Sequence, residues 1–133
     1  MELELKHIAP YLPYGLKCQT LDRGKTVISE LNAAYSDNSY TFMNIVESEK
    51  GFDDIKPILK SMNNLNNTYI NELAKYIVSI DEKYTIELAT ILIKAYKPNP
   101  LGMPYIVIQK LLEWHFDVFG LIEKGLAIDI NTL

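Results

Sequence analysis

Glu113, His115 and Asp117 are the residues of this chain best suited by type to chemistry. A His-x-Asp pair can serve as an acid/base or metal-ligating unit, because a carboxylate orients an imidazole and raises its basicity. The reaction implied would be a metal-dependent hydrolysis, with His115 and Asp117 as the candidate catalytic residues. Spacing keeps Glu113 out of such a unit, since residues two apart on a helix point in roughly opposite directions. A structural account covers all three: Glu113 on a solvent stripe, His115 a core or boundary residue near a helix C-terminus, and Asp117 a cap. That account is preferred, and the chain is read as non-catalytic.

Other reactive types are sparse. His7 is the second of two histidines, so no His-rich metal site can form, and nothing in the spacing gathers His7, His115, Cys18 and a carboxylate into a mixed one. No metal or cofactor is therefore expected. The single Cys18 rules out an internal disulfide, fits a reducing compartment, and reads as a small buried hydrophobe in a strand. Gly120-Leu-Ile-Glu-Lys-Gly125 superficially resembles a nucleotide loop but lacks the closing Lys-Ser/Thr. Asn66-Asn-Thr68 fits a glycosylation acceptor, yet no apolar leader segment at the N-terminus suggests secretion.

Nine tyrosines are present, and Tyr11, Tyr14, Tyr35 and Tyr40 fall in the first half. Such aromatics can stack single-stranded nucleic acid, but the net charge of −4 gives little electrostatic support. Each half of the chain carries −2: residues 1–66 hold seven Lys/Arg against nine Asp/Glu, and residues 67–133 hold six against eight. The same four tyrosines suit a protein–protein surface, and they are the candidate partner-binding residues.

A length of 133 residues with 48% apolar and 23% charged side chains is that of one globular domain. Its character changes near residue 66. Before that point, short β-branched and aromatic runs alternate with turns. Tyr11-Leu-Pro-Tyr14 reads as a rigid surface turn, followed by strands at Leu16–Leu21, Thr26–Leu31, Tyr40–Val46 and Ile55–Leu59. Turns are expected at Asp22–Gly24, Ser36–Ser39 and Glu47–Gly51, and Pro57 marks its strand as an edge or an end.

From residue 67 onward the period becomes helical. Thr68 is expected to cap a helix over 69–80, with Ile70, Leu73, Ala74 and Ile77 inward. Asp81 is expected to cap a second over 82–96, with Tyr84, Leu88, Ile91, Leu92 and Ala95 along a stripe that Ile86, Ala89 and Ile93 widen, so that this helix should be covered on more than one side. A third, 104–116, is polar only at Gln109, Lys110 and Glu113 and should be buried around most of its girth. Asp117 should cap a short helix over 118–124 ended by Gly125, and Ala127–Asn131 should return to the sheet as a strand.

The two ends, Leu3–Cys18 and Trp114–Asn131, resemble those of small uncharacterised proteins from bacteriophages and prophages of gut-dwelling and related anaerobic bacteria. Ile55–Leu65 resembles a middle motif that in those proteins more often reads Lys-Pro-Ile-Leu-Arg-Pro-Leu-Ser-Asp-Leu, from which Lys60, Ser61 and Asn63 depart. The resemblance implies a mobile-element origin and a host-cytoplasm location, and it brings no activity. The expected object is a single α+β domain: an N-terminal antiparallel meander or small barrel on C-terminal helices, closed by a terminal strand. Its expected role is a non-catalytic accessory protein that binds a protein partner or itself, with no nucleic acid and no membrane.

Overall fold

The computed structural model describes residues 2–22, 25–34, 40–42, 45–48 and 55–133. The fold is α+β, with its strands concentrated in the N-terminal half. Helix α1 (Leu5–Ile8) runs into a 3-10 turn over Ala9–Tyr14. Four strands follow, β1 (Lys17–Asp22), β2 (Lys25–Ala34), β3 (Tyr40–Phe42) and β4 (Ile45–Ser48), and then β5 (Ile55–Leu59). The second half holds α2 (Asn67–Ile80), α3 (Ile86–Tyr96) and α4 (Tyr105–Glu113), then a two-residue strand β6 (Ile128–Asp129). Among the described residues no helix is long and apolar enough to cross a membrane.

Strand order is β4-β3-β2-β1-β5-β6, and among the described residues the outer strands β4 and β6 do not pair to close a barrel. The β1–β2 hairpin is in register from Lys17↔Glu30 to Asp22↔Lys25. Gly15, at φ +71°, turns the chain into this hairpin, and a Cβ there would sit 2.5 Å from the Glu30 carboxylate. The single strand expected over 40–46 is instead a pair, β3 and β4, which lie antiparallel to one another. The turns expected at Asp22–Gly24, Ser36–Ser39 and Glu47–Gly51 fall wholly or in part outside the described residues.

Pro57 does not place β5 at an edge. The strand pairs antiparallel with β1 through Ile55–Pro57 and parallel with β6 through Ile58 and Leu59. The proline thus sits at the changeover, where β6 is not in register with it. Ile58 and Leu59, beyond it, are both buried. The returning strand is present as β6, which ties the closing segment to the sheet.

One apolar core joins the two halves. Leu16, Cys18, Leu31, Ile55 and Leu59 from the strands meet Ile70, Leu73, Ile77, Ile93 and Leu111 from the helices. Helix α2 buries the expected face, Ile70, Leu73, Ala74 and Ile77. Its cap is Asn66 rather than Thr68: the Asn66 side-chain oxygen accepts from the Tyr69 amide at 3.2 Å. Asp81 begins no helix. It closes α2 and accepts from the Lys83 amide at 3.0 Å, while Thr85 caps α3 by accepting from Leu88 at 3.2 Å.

Helix α3 differs from expectation in what it leaves uncovered. In α3 the inward residues are Ala89 and Ile93, where it packs on α2, and the stripe through Leu88, Ile91 and Ala95 faces outward. Both stripes are apolar, so periodicity alone does not choose between them; the smaller Ala89 side lets the two helices approach closely. Helix α4 is covered around most of its girth, as expected: Val107, Leu111 and Leu112 are buried, Ile106 and Ile108 pack half-buried against the core, and only Tyr105, at 71%, and Glu113 are exposed. Residues 118–125 form successive turns rather than a helix.

Candidate functional site

The residues around His115 form a clasp between the first fifteen residues and the end of α4. Helix α4 runs out at Trp114, and His115 takes φ +64°, the left-handed conformation usually given to glycine after a helix. The Phe116 amide reaches back to Leu111 O at 2.8 Å and the His115 amide to Leu112 O at 3.0 Å. These are the two bonds of a Schellman motif, with Phe116 and Leu111 as its buried apolar pair. The same motif recurs where Leu126 bonds Leu121 O and Gly125 bonds Ile122 O, with Gly125 at φ +74°.

His115 Nε2 lies 2.6 Å from Tyr14 O. A carbonyl only accepts, so Nε2 carries the proton and donates. The backbone on either side of Phe116 is also spoken for. Lys60 N donates to His115 O, and Asp117 N donates to Lys60 O, both at 2.8 Å, a parallel bridge that extends the β5 edge. Asp117 is buried, and its two carboxylate oxygens accept from Leu121 N at 2.8 Å and Ile122 N at 2.9 Å. It is the cap expected of it, holding a string of turns in place of a helix.

His115 and Asp117 are therefore two residues apart in sequence and employed separately. Each polar group is committed to backbone, the imidazole to the N-terminal segment and the carboxylate to the segment beyond it. Glu113 stands apart as well, exposed and paired with Lys110 at 3.1 Å. Among the described residues, no three His, Cys, Asp or Glu side chains gather as a metal site. The geometry is that of a fastening rather than a dyad.

The remaining reactive types are likewise absorbed. His7 is buried, and its Nδ1 accepts from the Glu4 amide at 3.0 Å, which fixes it in the deprotonated role there. Burial lowers its pKa, with Lys6 adding to the effect. Burial pushes the Cys18 thiol up to about 12, so it is a core side chain with no thiolate at neutral pH.

Of the four candidate partner-binding tyrosines, the structure corrects Tyr11. Tyr11 is fully buried: its hydroxyl donates to Phe116 O at 2.5 Å and accepts from Val118 N at 3.3 Å. Burial raises its pKa well above the ordinary phenol value. Its ring meets Phe119 edge-on at 6.3 Å. The reason is the 3-10 geometry of Ala9–Tyr14, which has three residues per turn and so stacks Ile8, Tyr11 and Tyr14 on one edge facing the core. Tyr14 is half-buried beside the His115 contact. Tyr35 lies outside the described residues, as does the side chain of Tyr40.

A cavity of about 690 Å³ lies between the Ser61–Asn63 turn, the Lys97–Leu101 segment and Asp117–Gly120. Its polar groups mostly serve the fold: Lys97 donates to Leu65 O at 3.1 Å, both Asp117 oxygens accept from backbone amides, and Asp129 accepts from the Asn131 amide at 3.0 Å.

What sequence reasoning placed in the core instead forms a surface. Of the ten large apolar side chains exposed among the described residues, seven fall between Ile80 and Tyr105, around α3 and its two ends. Leu88 is 53% and Ile91 63% exposed, and Ala95 continues the line one turn on. The signal was the second apolar stripe on α3, one more than a helix packed on a single side requires. The chain matches no protein-family model, no curated protein and no solved structure.

Proposed function

We propose that this chain is a non-catalytic interaction protein that docks a protein partner through the outer face of α3. The observation that carries the reading is the strip Leu88–Ile91–Ala95, exposed along one side of that helix. Single exposed apolar residues are ordinary, whereas neighbours at i, i+3 and i+7 make the kind of continuous strip that partner helices recognise. The commitment of His115 and Asp117 to backbone groups argues in the same direction. The resemblance of the chain's ends to phage and prophage proteins supports an accessory role for a mobile element, exercised in the host cytoplasm.

The test is site-specific photo-cross-linking in cells. A photo-reactive amino acid in place of Ile91 should give a covalent protein adduct, and one in place of Glu123, exposed outside the strip, should not. No adduct from position 91, or equal adducts from both positions, would overturn the reading.

A further inference from the structure

Resting on that reading, we infer that the occupant of the α3 face is a second copy of the same chain, laid antiparallel. Leu88, Ile91 and Ala95 are spaced 3 and 4 apart, the a/d spacing of a two-helix seam, and all three are exposed on α3. The central pair, Leu88 and Ile91, is self-complementary when reversed. With two α3 helices antiparallel about the point midway between Leu88 and Ile91, Leu88 of each copy meets Ile91 of the other.

Charge supports the same alignment. Glu87 and Lys94 are exposed, lie on one flank of the strip, and make no ion pair among the described residues. Seven residues apart, they are separated by about 10 Å along the helix and cannot reach each other within one chain. In the antiparallel pair, Glu87 of each copy lies against Lys94 of the other, so two ion pairs form, related by the two-fold axis. A parallel alignment sets Glu87 opposite Leu92 and forms neither.

Size sets the strength. Helix α3 has 11 residues, so its face alone falls short of the ~1,200 Å² typical of stable interfaces. The expected state is a reversible, concentration-dependent dimer.

Sedimentation velocity of the full chain from about 10 μM to about 1 mM reads this directly. Wild type should pass from monomer to dimer mass over that range. Glu87→Lys and Lys94→Glu should each weaken dimerisation by about tenfold, since each turns two attractions into two repulsions. The double swap should restore it to within about twofold, a rescue that only this alignment provides. Ile91→Glu should leave a monomer with unchanged far-UV circular dichroism, the substituted side chain being on the surface.

A wild-type chain that remains monomeric throughout overturns the inference. So does a dimer indifferent to the single swaps, or one that the double swap fails to rescue. If the chain is monomeric yet still cross-links a different protein from position 91, this inference fails and the docking face stands. With no adduct of any kind, both fail.

Discussion

Replacing His115 by alanine and by glycine separates the two things this residue does. Its backbone sits at φ +64°, and its imidazole donates to Tyr14 O. Left-handed backbone costs a residue with a Cβ about 1–2 kcal/mol, which glycine avoids. The hydrogen bond contributes about 1 kcal/mol, and its loss is softened because the site is half-exposed and water can reach Tyr14 O. His115→Ala loses the bond and keeps the strain, so it should destabilise by about 1 kcal/mol. His115→Gly loses the bond and sheds the strain, which brings it back to within about 0.5 kcal/mol of wild type. Glycine should therefore exceed alanine by about 1 kcal/mol, the reverse of their order inside a helix. Urea unfolding followed by circular dichroism measures both, and it avoids relying on the adjacent Trp114 as the probe. Alanine equal to or more stable than glycine would refute the claim that a left-handed backbone position at His115 closes α4.

Tyr11→Phe should cost about 1–2 kcal/mol, because it removes a buried hydroxyl that bonds both Phe116 O and Val118 N and leaves those two groups only their own 3.0 Å hydrogen bond; a loss below about 0.5 kcal/mol would mean that this bond alone satisfies them. Because burial lowers the His7 pKa below that of the unfolded chain, the unfolded state binds more protons between the two values. Stability should therefore fall as pH drops below about 6.5 toward the lowered folded value, and His7→Asn should flatten that part of the profile relative to wild type. A profile unchanged by the substitution would count against the assignment. The Cys18 thiol, fully buried, should react with a soluble disulfide reagent only as fast as the fold opens, with labelling accelerating in step with urea; fast labelling of the native protein would show an accessible thiol.

Sequence patterns were most legible where one physical demand dominated. Helix α2 has a single apolar stripe, and it is the face that is buried. Gly125 and the returning strand at Ile128 were readable because a glycine after an apolar turn and a short alternation each have few other uses. Three misreadings share another character: two local solutions were equally good and tertiary packing chose between them. Helix α3 offers two apolar stripes, and the one beside Ala89 went inside. Asp81 and Thr85 are both able caps, and the helix began at the second. Tyr11 lies between prolines, which suggested a surface turn, but 3-10 spacing carried it inward.

The candidate site was the least legible part. His-x-Asp is a chemically suggestive string, and its neutral explanation required knowing that His115 occupies a position where glycine is the usual signal. The docking strip was visible residue by residue, yet sequence alone assigned it to the core, because apolar periodicity reports that a face seeks burial and does not say against what.

The bonds between the ends of the fold have a consequence for how the protein is made. Tyr11 waits for Phe116, 105 residues later, and Tyr14 waits for His115, 101 residues later. At synthesis rates of about 5–20 residues per second, the N-terminal segment spends on the order of 5–20 s without the partners that complete it. Nascent chains stalled before residue 116 should thus be open to chaperones and proteases for most of translation, whatever the stability of the finished molecule. Closure arrives as a single late event, and the quantity of protein a cell obtains depends on surviving that interval.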